Sequence, residues 1–275
     1  MPSLTIARKS VSGAFHNWRL WLIQFVGTPL LYLLFYGWIL IPVASTTYVI
    51  ANLLVAIVLL AACVALHGGT LNYFSEKPSN ESVQLKKIFF RALRNILPIL
   101  MCVAAIYLLR MLADKFDDLQ DTFPTYIRST LPASTRQHIP VSSLESIFAI
   151  VAFALRWILI PGLVLPFAAA ASSRGFRGFG AVGFRSWKNA VSSFSYWLVL
   201  TIAAAVGVFA TQKILDLTPD FAKSTYRYEW ASLITRLVIS YSLALVAWMT
   251  TCSLVGRFTS IAATSRADVG GKPNA

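Results

Sequence analysis

Six stretches of about 20 mostly apolar residues, at roughly 20–42, 48–67, 93–112, 147–171, 195–214 and 231–256, leave this chain few ways to fold. Each is long enough for an α-helix, rising about 1.5 Å per residue, to cross the ~30 Å hydrocarbon layer of a bilayer. No water is present there to satisfy backbone N–H and C=O groups, so a spanning segment must pair them internally, as a helix does. The expectation is an all-α, polytopic membrane protein with six transmembrane helices in three hairpins, forming a single membrane domain over residues 1–275. Composition agrees: 57% of residues are hydrophobic and 13% charged, against about 25% charged in a soluble domain. The first stretch exceeds the 7–15 apolar residues of a cleavable signal peptide and is read as a retained span.

Charge then orients the chain. The net charge is +13, which in a soluble protein would point to nucleic acid. Here the cations are unevenly placed. The N-terminus, the connections at 68–92 and 172–194, the tail and the flanking Arg19 and Arg94 together hold 15 Lys/Arg against three acids. The opposite connections hold five Lys/Arg against eight acids. The positive-inside rule places the first set in the cytoplasm and explains the basic balance without a nucleic-acid partner. The expected location is a bacterial inner (cytoplasmic) membrane, with both termini cytoplasmic. Cys63, Cys102 and Cys252 all fall within spans and form neither a disulfide framework nor a metal spacing.

Three basic stretches precede the odd-numbered spans, at about 5–18, 82–94 and 180–194. In the second, Leu85, Ile88, Phe89, Ala92 and Leu93 follow the spacing of one helical stripe, with Lys86, Lys87, Arg91 and Arg94 off it. Such a helix is expected to rest on the bilayer with its cations toward anionic lipids; Arg185 and Lys188 give the third stretch the same character. Asn80-Glu81-Ser82 is read as the start of the second helix and Ser142 to Glu145 as a capping box opening the fourth span. His67-Gly68-Gly69 is expected to end the second span, residues 113–144 to form an outer loop, and 262–275 a disordered tail. Setting Asn17, Asn95 and Tyr196 in register makes a threefold unit of surface helix plus hairpin.

Within this pattern, the Pro-containing span from Leu159, the Gly-rich turn, Gly183-Phe184-Arg185-Ser186-Trp187-Lys188 and Tyr196-Trp197-Leu198-Val199-Leu200 form one run. It resembles the glycerophosphoryl diester phosphodiesterase membrane-domain type of bacterial six-span protein. That membrane domain is not the catalytic part of those proteins, so the resemblance implies an integral membrane fold and no phosphodiesterase activity.

Candidate chemistry is sparse. Gly178 to Gly183 matches G-x-G-x-x-G, but a span rather than a strand precedes it and no acid lies about 20 residues on, so the glycines are read as a turn. No protease, P-loop or Cys/His metal motif is present, and no cofactor is expected. No Asp or Glu falls within the predicted spans, which disfavours an ion-coupled carrier. The informative residues are intramembrane cations, because a charge at the helix centre costs about 2.5–3.5 kcal/mol on insertion scales. Arg156 lies deep in the fourth span, and Arg110, Lys213 and Arg236 lie nearer outer ends. They are candidates for an anionic headgroup site or a polar path. The leading expectation is a non-enzymatic envelope or lipid-associated scaffold or partner subunit, in contact with anionic membrane lipids and open to a protein partner or homo-oligomer. The alternatives are a transporter or channel with a polar path near Arg156 and, third, a lipid-modifying enzyme using the acidic outer loop.

Overall fold

A computed structural model describes residues 2–42, 45–76, 85–119, 122–217 and 226–270. Among them the secondary structure is entirely helical. In chain order the helices are α1 (Pro2–Ala14), α2 (Trp18–Ile39), α3 (Thr46–Ser75), α4 (Leu85–Arg94), α5 (Ile96–Asp117), α6 (Phe123–Thr130), α7 (Ala133–Arg136), α8 (Val141–Phe179), α9 (Ala181–Val191), α10 (Phe194–Asp216) and α11 (Tyr226–Gly270). Six of them, α2, α3, α5, α8, α10 and α11, are long and apolar enough to cross a membrane.

These six fall into two lengths. The odd-numbered spans run 21 to 23 residues, whereas the even-numbered ones run 30, 39 (the last five a 3-10 turn) and, over Tyr226–Ala262 of α11, 37. At about 1.5 Å per residue their helical parts reach roughly 45 to 55 Å, well beyond a ~30 Å hydrocarbon layer. Their excess lengthens one end of the bundle, the end that carries α1, α4 and α9. There α4 packs on the end of α3, α9 on the end of α8 and α1 on the end of α11, so the last long helix closes on the first short one. The main core sits at this basic end, with Leu71, Leu165, Ala169, Ala190, Tyr196, Leu254, Val255 and Phe258 all buried. At the far end, Leu33, Tyr36, Leu53, Val58 and Leu112 are exposed, as lipid-facing side chains are.

Close approach at the basic end depends on small residues. A methyl on Gly256 of α11 would lie 2.5 Å from Phe74 Cβ and closer still to the Phe74 carbonyl carbon, so only glycine lets α3 and α11 meet there. The α-helical part of α8 ends at Arg174, where Gly175 turns the chain at φ 62°, a conformation that suits a residue without Cβ, into a closing 3-10 turn to Phe179.

Three spans contain a widened, π-helical turn, at Val64–Gly68, Leu155–Leu159 and Ala205–Ala210. In α8 the Ile160 N–H reaches back five residues to the Leu155 carbonyl, and the next residue, Pro161, has no N–H to give. In α3 and α10 a following threonine bonds back onto the turn: Thr70 Oγ1 donates to the Leu66 carbonyl at 2.8 Å and Thr211 Oγ1 to that of Val208 at 2.8 Å. Gln24 of α2 also donates to the Leu66 carbonyl, at 3.1 Å, and ties the first span to the second.

Several sequence expectations change. His67-Gly68-Gly69 does not end the second span: it lies in and just beyond the π turn, and the helix runs on to Ser75. The glycines are helical and buried, which offsets their poor helix propensity. Pro140, not Ser142, stands at the N-cap of α8, and no side chain caps it, so the capping box does not form. The expected disordered tail is helical to Gly270; residues 271–275 and the Asn80–Ser82 helix start lie outside the described residues. Residues 113–144 contain α6 and α7, with Phe123 set edge-on against Phe148 of α8. Asn17 and Asn95 occupy matching N-cap positions of α2 and α5, but the third equivalent is Ser193, not Tyr196.

Candidate functional site

The intramembrane cations are engaged by the chain itself. α5 carries Arg110 and Asp114 one turn apart, and they meet Trp157 and Arg156 on the widened turn of α8. Arg156 Nη2 donates to Asp114 Oδ1 at 2.6 Å, and the Arg110 guanidinium carbon stands 4.5 Å from the Trp157 ring centre. Because α5 extends to Asp117, Asp114 rides on the helix instead of in a loop, which is why a partner for Arg156 was not visible from predicted span limits. Helix ends likewise bring Glu145, Asp216 and Glu229 onto spanning helices, correcting the expectation of spans free of acids. Arg236 acts elsewhere. It donates to the carbonyls of Leu215 (2.9 Å) and Leu217, satisfying the last turn of α10. Lys213 lies 5.8 Å from the Phe209 ring centre on its own helix. Arg110 and Arg156 thus belong to one cluster on α5 and α8, while Arg236 and Lys213 lie at α10.

The cations of the basic stretches remain on the outside. Lys86, Lys87, Arg91 and Arg94 of α4, and Arg185 and Lys188 of α9, are exposed. Arg91 pairs with Glu76 at the end of α3. The apolar stripe of α4 does not face lipid as expected: Ile88 and Ala92 are buried, Asn72 Nδ2 donates to the Ile88 carbonyl at 3.1 Å, and Phe89 lies over Gly69. The stripe is covered by the extension of α3, whose continuation past Gly69 was not apparent in the sequence.

A cavity of about 610 Å³ opens where the first and last helices meet. α1 contributes Arg8, Lys9 and Ser12; α11 contributes Ser253, Arg257 and Ser260; the end of α3 contributes Tyr73, Phe74 and Glu76; His16 lies in the connection after α1. Ser253 Oγ donates to the Ser10 carbonyl at 2.8 Å, fixing α1 on α11, and Asn17 Nδ2 donates to Tyr73 Oη at 3.0 Å, fixing the start of α2 on α3. In the sequence these residues register only as part of the positive bias, because nothing local links residue 8 to residue 257.

Two further features are present. A second cavity, about 530 Å³, is bounded only by apolar side chains of α5, α8 and the Phe179 to Trp187 region. Deeper in the bundle, His67 and Trp248 meet edge to face at 5.4 Å, and among the described residues neither His67 Nδ1 nor Trp248 Nε1 has a hydrogen-bond partner.

The architecture is that of a multi-pass helical membrane protein. Among the described residues there is no cluster of His, Cys, Asp or Glu able to hold a metal ion. No protein-family model, curated protein or solved structure matches the chain.

Proposed function

We propose that the chain is an integral protein of a bacterial cytoplasmic membrane, with both termini cytoplasmic, acting without catalysis as a lipid-associated scaffold or partner subunit. The observation that carries this reading is the engagement of Arg110, Arg156 and Arg236 by Trp157, Asp114 and the α10 carbonyls, which removes the charges a polar path would use. The exposed cations of α4 and α9 then supply the contact with anionic lipids, at about 1 kcal/mol per Lys or Arg near the surface. The positive-inside bias sets the orientation. The three-hairpin arrangement with membrane-surface helices, and the resemblance to the glycerophosphoryl diester phosphodiesterase membrane-domain type, belong to the same proposal. The apolar cavity beside Phe167 and Trp187 is of a kind that accepts an acyl chain.

Native mass spectrometry of the purified protein tests it. Anionic phospholipids are expected to be retained, and retained less when Lys86, Lys87, Arg185 and Lys188 are all changed to Gln. Solute flux through liposomes containing only this protein would replace the scaffold with a transporter, and a reporter fusion placing residues 113–144 in the cytoplasm would overturn the orientation.

A further inference from the structure

We propose that the cavity between α1, α3 and α11 is a binding site for a phosphate-bearing anion, a phosphoester held by Arg8, Lys9 and Arg257. This goes beyond the lipid-scaffold reading, since a soluble phosphoester would satisfy the cavity as well as a lipid headgroup.

Three observations converge on it. First, the charge is unbalanced. Among the described residues Glu76 is the only carboxylate on the wall, and it already pairs with Arg91, which does not line the cavity. Among the described residues no acid pairs with Arg8, Lys9 or Arg257. Like charges gathered in a concave site repel one another and concentrate anions, so an anionic ligand relieves the arrangement.

Second, the donor chemistry suits phosphate. A planar guanidinium and a lysine ammonium, with the hydroxyl of Ser12 among the lining groups, match an oxyanion with several acceptor oxygens. Arg257 is positioned by a glycine: its Nη2 lies 3.0 Å from where a Cβ on Gly13 would be, so a side chain at 13 would press on the guanidinium. Third, Tyr73 and Phe74 give the opposite wall an apolar surface for the carbon side of an ester. The volume lies within the roughly 300–1,000 Å³ of small-ligand pockets. The walls are two helices far apart in sequence, so the bound anion would hold the N-terminal helix to the C-terminal one.

The test uses the full-length protein, delipidated in neutral detergent, with glycerol 3-phosphate as the soluble probe. In parallel it is placed in nanodiscs of phosphatidylcholine with and without an equal part of phosphatidylglycerol. Binding is read by calorimetry and by the shift in thermal unfolding midpoint. Arg257→Gln and Lys9→Gln are expected to weaken binding about tenfold each, as loss of a charge-assisted hydrogen bond does, while Lys115→Gln, exposed at the far end of α5, leaves it unchanged. Arg257→Lys keeps the charge and guards against a variant that merely misfolds; intermediate binding is expected. Glycerol 3-phosphate binding that follows this pattern assigns the site to a free phosphoester. Stabilisation only with phosphatidylglycerol, following the same pattern, assigns it to a headgroup. No response to either probe, or an equal response from Arg257→Gln and Lys115→Gln, overturns the proposal.

Discussion

Pro29 and Pro166 each lie inside a spanning helix, and each removes the N–H that would bond to the carbonyl four residues earlier. Those carbonyls belong to Phe25 and Gly162. In both cases a tyrosine from another span supplies the donor: Tyr241 Oη, shared between the Phe25 carbonyl at 3.0 Å and that of Gln24 at 3.1 Å, and Tyr196 Oη, 2.8 Å from the Gly162 carbonyl. Lipid offers no substitute donor, so the two hydroxyls complete helices that their own sequences leave incomplete. Removing one costs about 0.5–2 kcal/mol, taking the range for hydrogen bonds in membrane bundles and for buried groups left unpaired. Tyr196→Phe is expected to lose more than Tyr241→Phe, because Tyr196 is fully buried and Tyr241 only partly. Unfolding in detergent measures both. Adding Pro166→Ala, which restores the missing donor, should shrink the loss from Tyr196→Phe, and an additive double-mutant cycle would refute the device. The prolines were legible in the sequence; their partners were not, because a tyrosine in an apolar run looks the same whether its hydroxyl meets a headgroup or a carbonyl. The Arg156–Asp114 pair is partly exposed and worth less, about 0.2–1 kcal/mol. Asp114→Asn and Arg156→Gln are expected to cost similar small amounts and to be non-additive together; if Arg156→Gln alone strips bound lipid, the ion pair is not its main role.

At the scale of elements, the even-numbered spans are the departure from a simple membrane pattern. Hydropathy located their centres correctly but not their ends, because their lower turns mix small, polar and aromatic residues that read as loop when considered alone. Gly68 and Gly69 signal a stop in isolation, yet beside Ile99 and Phe89 they permit helix packing. Tertiary contact overrode propensity there. Gly256 shows the same logic more sharply. Gly256→Ala is expected to destabilise by about 1–3 kcal/mol, since the added methyl meets the Phe74 backbone, which cannot swing aside. Gly37→Ala provides the contrast, for nothing lies within 4 Å of its Cβ position, and helix propensity alone should make it neutral or favourable. Equal losses from the two substitutions, measured by thermal unfolding of detergent-solubilised protein, would argue against the close approach of α3 and α11.

At the scale of the whole molecule, packing is concentrated at the basic end and the last helix returns to the first. Ser10 and Ser253 mark this closure. With the three native cysteines replaced, a Ser10→Cys, Ser253→Cys protein should be joined by a short thiol cross-linker and resist separation after proteolysis between the spans. Failure to cross-link while the protein remains folded would mean that α1 does not dock on α11. Apolar length and net charge are properties of short segments and need no knowledge of neighbours, so the all-helical class, the six membrane-length helices and the gathering of cations could be read from the residues alone. Which charge meets which partner was settled by folding. The Tyr241 to Phe25 bond joins residues 216 apart and the Ser253 to Ser10 bond residues 243 apart. The basic cavity depends on the same return of the chain: Arg8 and Lys9 face Arg257 only after six helices have folded, and periodicity, which reports on one helix at a time, carries no record of that meeting.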